Sequence, residues 1–237
     1  MKRGSLISLT PRGLYCKKGD FYVDPWLPVE CAVVTHAHAD HAYRGSKNYL
    51  VAAEGESLAR IRLDHESTIT GQKYGETTDI NGVKVSFHPA GHILGSAQVR
   101  VEYKGEVWVV SGDYKLTPDA TCSPFEPVKC NYFITEATFG LPIYRWPSPK
   151  KVFTEIDEWW LRNRENGKAS VLFAYSLGKA QRLLAGVDSS IGPIHVHPAV
   201  AALLPAYAAE GVPLPAVTTW QRGESPRDCW SRAAPDI

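Results

Sequence analysis

The chain has 237 residues, 44% of them apolar and 22% charged, with a formal net charge of +1; it can bury a real core as one large domain or one and a half ordinary ones, and any nucleic-acid surface has to be local, since the overall charge announces none. Five cysteines, at 16, 31, 122, 130 and 229, form no C-x-x-C pair, which argues for reduced thiols and against a disulfide framework. Lys2 and Arg3 lead into no apolar run long enough for a signal peptide or a membrane span, so the expectation is a soluble, cytoplasmic protein with no membrane partner.

In chain order, Gly13–Cys16 and Phe21–Val23 flank a Gly-containing turn and predict a hairpin, stopped by Pro25 with Asp24 left at the strand tip. The apolar run 31–34 predicts a short buried strand that delivers Thr35-His36-Ala37-His38-Ala39-Asp40-His41. On extended backbone His36, His38 and Asp40 point to one face, because side chains alternate with period two. Where the chain curls at Asp40 and His41, the next imidazole is aimed elsewhere. Imidazoles and a carboxylate aimed in two directions are a metal site, and suit two adjacent ions better than one. Residues 49–52 predict another strand and 54–63 a helix, with Leu58, Ile61 and Arg62 at helical spacing. Asn81-Gly82 predicts a hairpin between 78–80 and 83–88, and Lys104-Gly105 a second between 96–103 and 106–110.

Three later strand ends carry chemistry. His88-Pro89-Ala90-Gly91-His92-Ile93-Leu94-Gly95-Ser96 sets a histidine between two glycines, where backbone turns tightly and approaches a site closely. The apolar run from Trp108 ends in Ser111-Gly112-Asp113, and the run from Tyr132 ends in Thr135-Glu136. Alone, His92 and Asp113 read as turn residues; beside the first cluster they complete a ligand set. From Leu141 the texture changes. Pro142, Pro147 and Pro149 mark a linker, an amphipathic helix is expected over 150–164, a buried strand over 170–175, a helix over 179–187, a strand over 194–196 and an alanine-rich helix over 198–210. Alternating strand and helix predicts a small α/β unit with parallel pairing.

The ordered motifs H-x-H-x-D-H, A-G-H-x-x-G-S, S-G-D and T-E-A-T-F-G, after a strand-end aspartate, resemble those of metallo-β-lactamase-fold proteins, and more narrowly the β-CASP nucleases. Within that branch P-R-G-L-Y-C, F-Y-V-D-P-W, F-G-L-P-I-Y-R-W-P and L-G-K-A-Q-R-L-L are similar to the bacterial ligase-associated DNA exonucleases, over about 13–212. The resemblance implies an α/β fold: the N-terminal part of a metallo-β-lactamase αββα sandwich in 1–140, a partial β-CASP insert in 141–220, and an irregular tail from 221. It also implies that His36, His38 and His92 hold one metal, Asp40 and His41 a second, and that Asp113 bridges them. Asp24 would orient the first histidines from behind, and Glu136 would buttress a ligand histidine. Zinc, as one or two ions, is the expected cofactor, with manganese an alternative that the same ligand types admit.

The chain departs from the family at its end. Complete members continue for roughly a hundred residues, by resemblance, through an S-D-H-A-D-like motif that carries a general acid and a T-H-G-like motif that completes the second metal site. Family-like sequence persists through 227–233 and then stops, so a frameshift or early stop near Ala233 is expected, leaving an edge strand and apolar surface open. His195 and His197 are weak stand-ins for the missing histidines.

The reaction implied is phosphodiester hydrolysis by metal-activated hydroxide, with Asp40, His41 and Glu136 as catalytic residues and Asp40 orienting the nucleophile. Lys179 and Arg182 are candidate phosphate contacts, and Tyr144 and Trp146 candidate base-stackers, in a cleft between sandwich and insert. The substrate expected is DNA, single-stranded and trimmed from an end, in repair beside an ATP-dependent DNA ligase and a helicase. Two other readings stand beside it: an inactive metal-binding fragment of a truncated nuclease, and a small-molecule metallo-hydrolase of the same fold.

Overall fold

A computed structural model describes residues 5–221; the expected tail, apart from Gln221, and the family-like stretch 227–233 lie outside the described residues. Thr138 closes a first compact unit and Phe139 opens a second.

The first unit runs β1 (Ile7–Thr10), β2 (Gly13–Cys16), β3 (Phe21–Val23), β4 (Cys31–Val33), β5 (Asn48–Ala52), a 3-10 turn (Ala53–Gly55) into α1 (Glu56–Arg62), β6 (Thr68–Gln72), β7 (Thr77–Ile80), β8 (Val83–Pro89), β9 (Ala97–Tyr103), β10 (Glu106–Val110) and β11 (Tyr132–Ile134). β1 to β6 form one sheet in sequence order, antiparallel through β1, β2 and β3 and parallel from β3 to β6. The other sheet is ordered β11-β10-β9-β8-β7 and is antiparallel except where β10 meets β11. The three predicted hairpins are present. Asn81 and Gly82 both have positive φ (53° and 81°), as do Lys104 and Gly105 (50° and 81°), which is the backbone a two-residue turn between right-twisted strands requires.

Period-two alternation explains how the sheets pack. Phe21, Val23, Val33 and Leu50 of the first sheet meet Val83, Val85, Phe87, Val99, Val101 and Trp108 of the second in one buried cluster. The intervening residues Ala32, Tyr49 and Val51 face the other way and bury Ala59 of α1 and Leu63 just after it. β4 and β5 are thus covered on both faces, which is why they read as unbroken apolar runs. On β9 only one face is apolar: Arg100 and Glu102 alternate with the inward valines and pair at 2.7 Å.

The fold is an α/β sandwich of the expected kind, with β4, β10 and β11 ending in the chemistry-bearing segments. β1 and β6 were not anticipated: Ile7–Thr10 and Thr68–Gln72 are short, half-polar stretches whose pairing comes from neighbours. β11 lies at the end of its sheet, with Tyr132 and Phe133 exposed.

In the second unit α2 (Pro149–Glu165) begins at Ser148, whose Oγ accepts from the Lys151 N–H, with Pro149 in the first helical turn. There follow α3 (Lys179–Gly186), β12 (His195–Val196), α4 (Pro198–Ala201), α5 (Leu204–Ala209) and β13 (Thr218–Thr219), and β12 and β13 pair in parallel. Two expectations are corrected here. The single helix over 198–210 is two, because Pro205 has no N–H and its ring opposes the carbonyl of Ala201, where α4 ends. The buried strand over 170–175 is absent: these residues are irregular and Phe173 is 96% exposed. An apolar run becomes a strand only where a neighbour offers its backbone groups, and among the described residues none pairs with it.

One backbone contact fixes the loop before β9. Gly95 has φ +69°, and a Cβ there would lie 2.1 Å from the Cα of Gly55. Gly95→Ala is expected to cost about 2 kcal/mol or more by urea denaturation. Gly105→Ala is the control, since its φ is also positive (+81°) but its Cβ would meet nothing; the excess loss at Gly95 measures the close approach.

Candidate metal centre

The end of β4 builds the centre. Val34 N–H still donates to Leu50, so the chain stays in the sheet as far as Thr35, whose carbonyl accepts from Ala97 at the start of β9. It then turns, with the His38 carbonyl accepting from the N–H groups of His41 and Ala42 at 3.2 and 2.8 Å. The turn begins before Asp40, so Asp40 does not share a face with His36 and His38 as strict alternation would have it. Its carboxylate is 79% exposed, 3.9 Å from His41 Nε2.

Two groups of ligand atoms converge among the described residues: His36, His38, His92 and Asp113, and then His41, Asp113 and Glu136, each within 4.8 Å of one another. In the first, His36 Nε2 and His38 Nδ1 are 2.9 Å apart, His92 Nε2 and His38 Nδ1 3.3 Å, His92 Nε2 and Asp113 Oδ2 3.4 Å, and His36 Nε2 and Asp113 Oδ2 3.9 Å. A tetrahedral ion with ligands at 2.0–2.1 Å needs ligand-to-ligand edges of about 3.3 Å. Three imidazoles and a carboxylate at these separations fit such an ion. The second group is looser, with Glu136 Oε1 3.4 Å from His41 Nε2. Asp113 belongs to both.

Asp24 fixes the tautomer of His41. Its Oδ1 accepts from the Thr35 N–H at 2.8 Å, and its Oδ2 accepts from Thr35 Oγ1 at 2.6 Å and from His41 Nδ1 at 2.7 Å. Asp24 thus stands behind His41, with Thr35 between it and His36 Nδ1 (3.1 Å). Glu136 faces His41 Nε2, the ring nitrogen opposite the one that Asp24 holds. Thr35 was missed by the sequence reading, as was Ser96, whose Oγ accepts from the N–H groups of His92 and Ile93 and holds the His92 loop. Gly112 lets Asp113 approach, since a Cβ there would fall 2.5 Å from Thr35 Oγ1.

Burial and the neighbouring imidazoles hold His36 well below the usual histidine range. Burial likewise pushes His92 down to about 4 against the pull of Asp113. His41 goes the other way. Burial opposes its proton, but the Asp24 hydrogen bond and charge, with Glu136 and Asp40, overcome this and raise it to about 9. Glu136 is raised by its burial and by Asp113, against His41. The groove beside the second group, about 270 Å³, is lined by Trp26, Asp40, His41, Gly112 and Glu136 over an apolar floor that includes Val110 and Ile134.

The other predicted residues are not members of these groups. Lys179 and Arg182 are on α3 of the second unit, Lys179 with its ammonium 4.5 Å from the centre of the Tyr175 ring. His197 Nδ1 accepts from the Ala199 N–H and caps α4. Both ring nitrogens of His195 are buried without a hydrogen-bond partner among the described residues. Neither histidine joins a ligand group. A hydroxyl–imidazole–carboxylate line runs through Ser86, His88 and Glu126 at 3.2 and 3.4 Å, but burial of Ser86 denies a substrate access.

No family model matches the chain. It is 33% identical over 206 residues, 86% of its length, to a "Probable DNA ligase" of Opitutus terrae. It is 25% identical over 186 residues to an "RNase J-like protein" of Methanocaldococcus jannaschii and 28% identical over 167 residues to "Endoribonuclease YSH1" of Saccharomyces cerevisiae, each over 69% of the chain. The chain spans 20%, 44% and 20% of these three relatives. A solved structure of a protein of unknown function from Enterococcus faecalis V583 aligns with a TM-score of 0.53 over 83% of the chain and 52% of that structure, at 15% identity, a likeness of fold alone. Sandwich, ligand groups and relatives define a metallo-β-lactamase-fold protein. The chain is similar to the β-CASP members of that fold.

Proposed function

We propose that this chain carries the metal-centre portion of a nuclease that hydrolyses phosphodiester bonds, trimming single-stranded DNA from an end. The observation that carries the reading is the pair of ligand groups sharing Asp113, in a chain whose relatives are named as nucleases and a DNA ligase. His36, His38, His92 and Asp113 would hold one ion, and His41 and Asp113 a second with Asp40 or Glu136; zinc suits the donor set, and manganese is admitted by it. Such an ion supplies Lewis acidity, making hydroxide available near neutral pH and drawing charge from phosphate oxygens.

The chain's own residues do the rest. Asp24 holds the Nδ1 proton of His41, so that Nε2 is presented to the groove. Asp40, exposed in that groove, orients the attacking water, and Lys179 and Arg182 take backbone phosphates. DNA is favoured because the relative at 33% identity is named a DNA ligase; the same name supports work beside an ATP-dependent ligase, and a helicase is the further partner that the family resemblance implies. Among the described residues no helix is long and apolar enough to cross a membrane, which agrees with a cytoplasmic place. An RNA substrate is the second reading, on the names of the other relatives.

The test is degradation of DNA and RNA strands labelled at either end, with zinc or manganese, beside Asp40→Ala. The parent is expected to shorten DNA from one end, and the variant to lose about 10² or more in rate. Faster loss of RNA would favour the second reading; bound metal with no cutting of either would leave a metal-binding fragment.

A further inference from the structure

We propose that Tyr144 and Trp146, braced by Phe139, form a stacking platform for the unpaired bases of a single strand. The inference rests on the nucleic-acid reading above and adds to it a binding site in the second unit. Trp146 is 69% exposed and Phe139 and Tyr144 are exposed too, although burying rings of this size is among the larger gains a fold can make. The Tyr144 and Trp146 planes lie 8° from parallel with centroids 6.2 Å apart, while Phe139 stands edge-on to both, at 5.1 and 5.2 Å and 76° and 84°. Two parallel faces are thus offered and the third ring props them. Pro142 and Pro147 stiffen the segment, so little freedom is lost when a ligand settles on it.

Charge identifies the occupant. From Ala137 to Thr154 the charged residues are Arg145, Lys150 and Lys151, all basic. Among the described residues Arg145 and Lys150 have no ion pair, while Lys151 lies 3.9 Å from Glu155. Parallel exposed rings with cations beside them match successive bases on a phosphate backbone, whatever the base sequence. Leu141 and Ile143 are exposed in the same segment and supply the discriminating control. A protein partner would draw on these aliphatic side chains as much as on the rings; a base stack would draw on the rings.

The experiment is fluorescence anisotropy of a labelled phosphorothioate oligothymidine, which resists hydrolysis, with the full chain. Trp146→Ala and Tyr144→Ala are each expected to weaken binding about tenfold, with Trp146→Phe recovering most of the loss. Leu141→Ser with Ile143→Ser should leave binding unchanged, and the same oligothymidine annealed to its complement should bind more weakly, its base faces hidden. Circular dichroism confirms that each variant is folded. Unchanged affinity in the ring variants overturns the platform, as does an equal loss in the aliphatic variant together with self-association by light scattering, which would mark a surface for a second copy. If ordinary DNA is still cut in either case, the nuclease reading survives without the platform; neither binding nor cutting removes both.

Discussion

Replacing Asp113 by alanine is expected to lower metal affinity at both ligand groups at once, by about a hundredfold or more. The carboxylate is the one side chain the two groups share, 3.4 Å from His92 Nε2 and within reach of His41 and Glu136. Changing an outer partner of a metal ligand already costs 10- to 100-fold, and a ligand that serves two ions should cost at least the upper figure at each. Asp113 is partly exposed at the end of β10, so its loss opens no cavity in the core. Equilibrium dialysis against zinc, with cobalt(II) absorption reporting the coordination, measures the effect. His88→Ala is the control, because His88 bonds to Ser86 and Glu126 and stands outside both groups. Asp40→Ala should fall between, sparing the first group and weakening the second by about tenfold, since its carboxylate is 3.9 Å from His41 Nε2 but turned to solvent. Loss of a single ion from Asp113→Ala would show that the carboxylate does not bridge.

The contrast between Asp113 and Asp40 shows what the sequence carries and what it does not. Metal-ligand chemistry is written in residue types: histidines and aspartates after apolar strands are legible wherever the strand is, and the ligand atoms of His36, His38, His92 and Asp113 lie within 4.8 Å of one another. The direction of a side chain depends on where the strand stops. A turn closed on the His38 carbonyl moved Asp40 off the face that period two assigned it. Supporting residues are harder still. Thr35 and Ser96 act through hydroxyls that donate or accept across sequence separations of 11 and 4, a service any serine or threonine performs and no spacing announces. The segment 170–175 failed for a different reason. Its apolar content predicts burial only if another strand lies beside it, and pairing is a property of the partner as much as of the run.

Metal binding at the two groups should differ in its response to pH, and the sign follows from the histidines. His36 is held well below the usual range and His92 near 4, so both are neutral, with free lone pairs, at neutral pH. An ion entering the first group displaces no proton from these two, and affinity there should respond to pH far less than at the second group. His41 is raised to about 9 and is protonated at pH 7; an ion in the second group must expel that proton from Nε2. Apparent affinity should therefore climb about tenfold per pH unit and level off above 9, a gain of roughly a hundredfold over pH 7. The metal-free protein carries the complementary sign. The Asp24–His41 pair contributes stability that is fully present below about 6.5 and lost as pH rises through about 9, while buried neutral His36 contributes stability that is lost as pH falls below the usual histidine range. Calorimetric zinc titrations in buffers of different ionisation enthalpy count the protons released at each step. One proton is expected with the weaker ion at pH 7.5 and close to none with the tighter one. Asp24→Asn removes the charge that holds the His41 proton, and should move the rise in second-group affinity to lower pH while leaving the first group where it was. A rise at the first group, or none at either, would place the titrating histidine elsewhere.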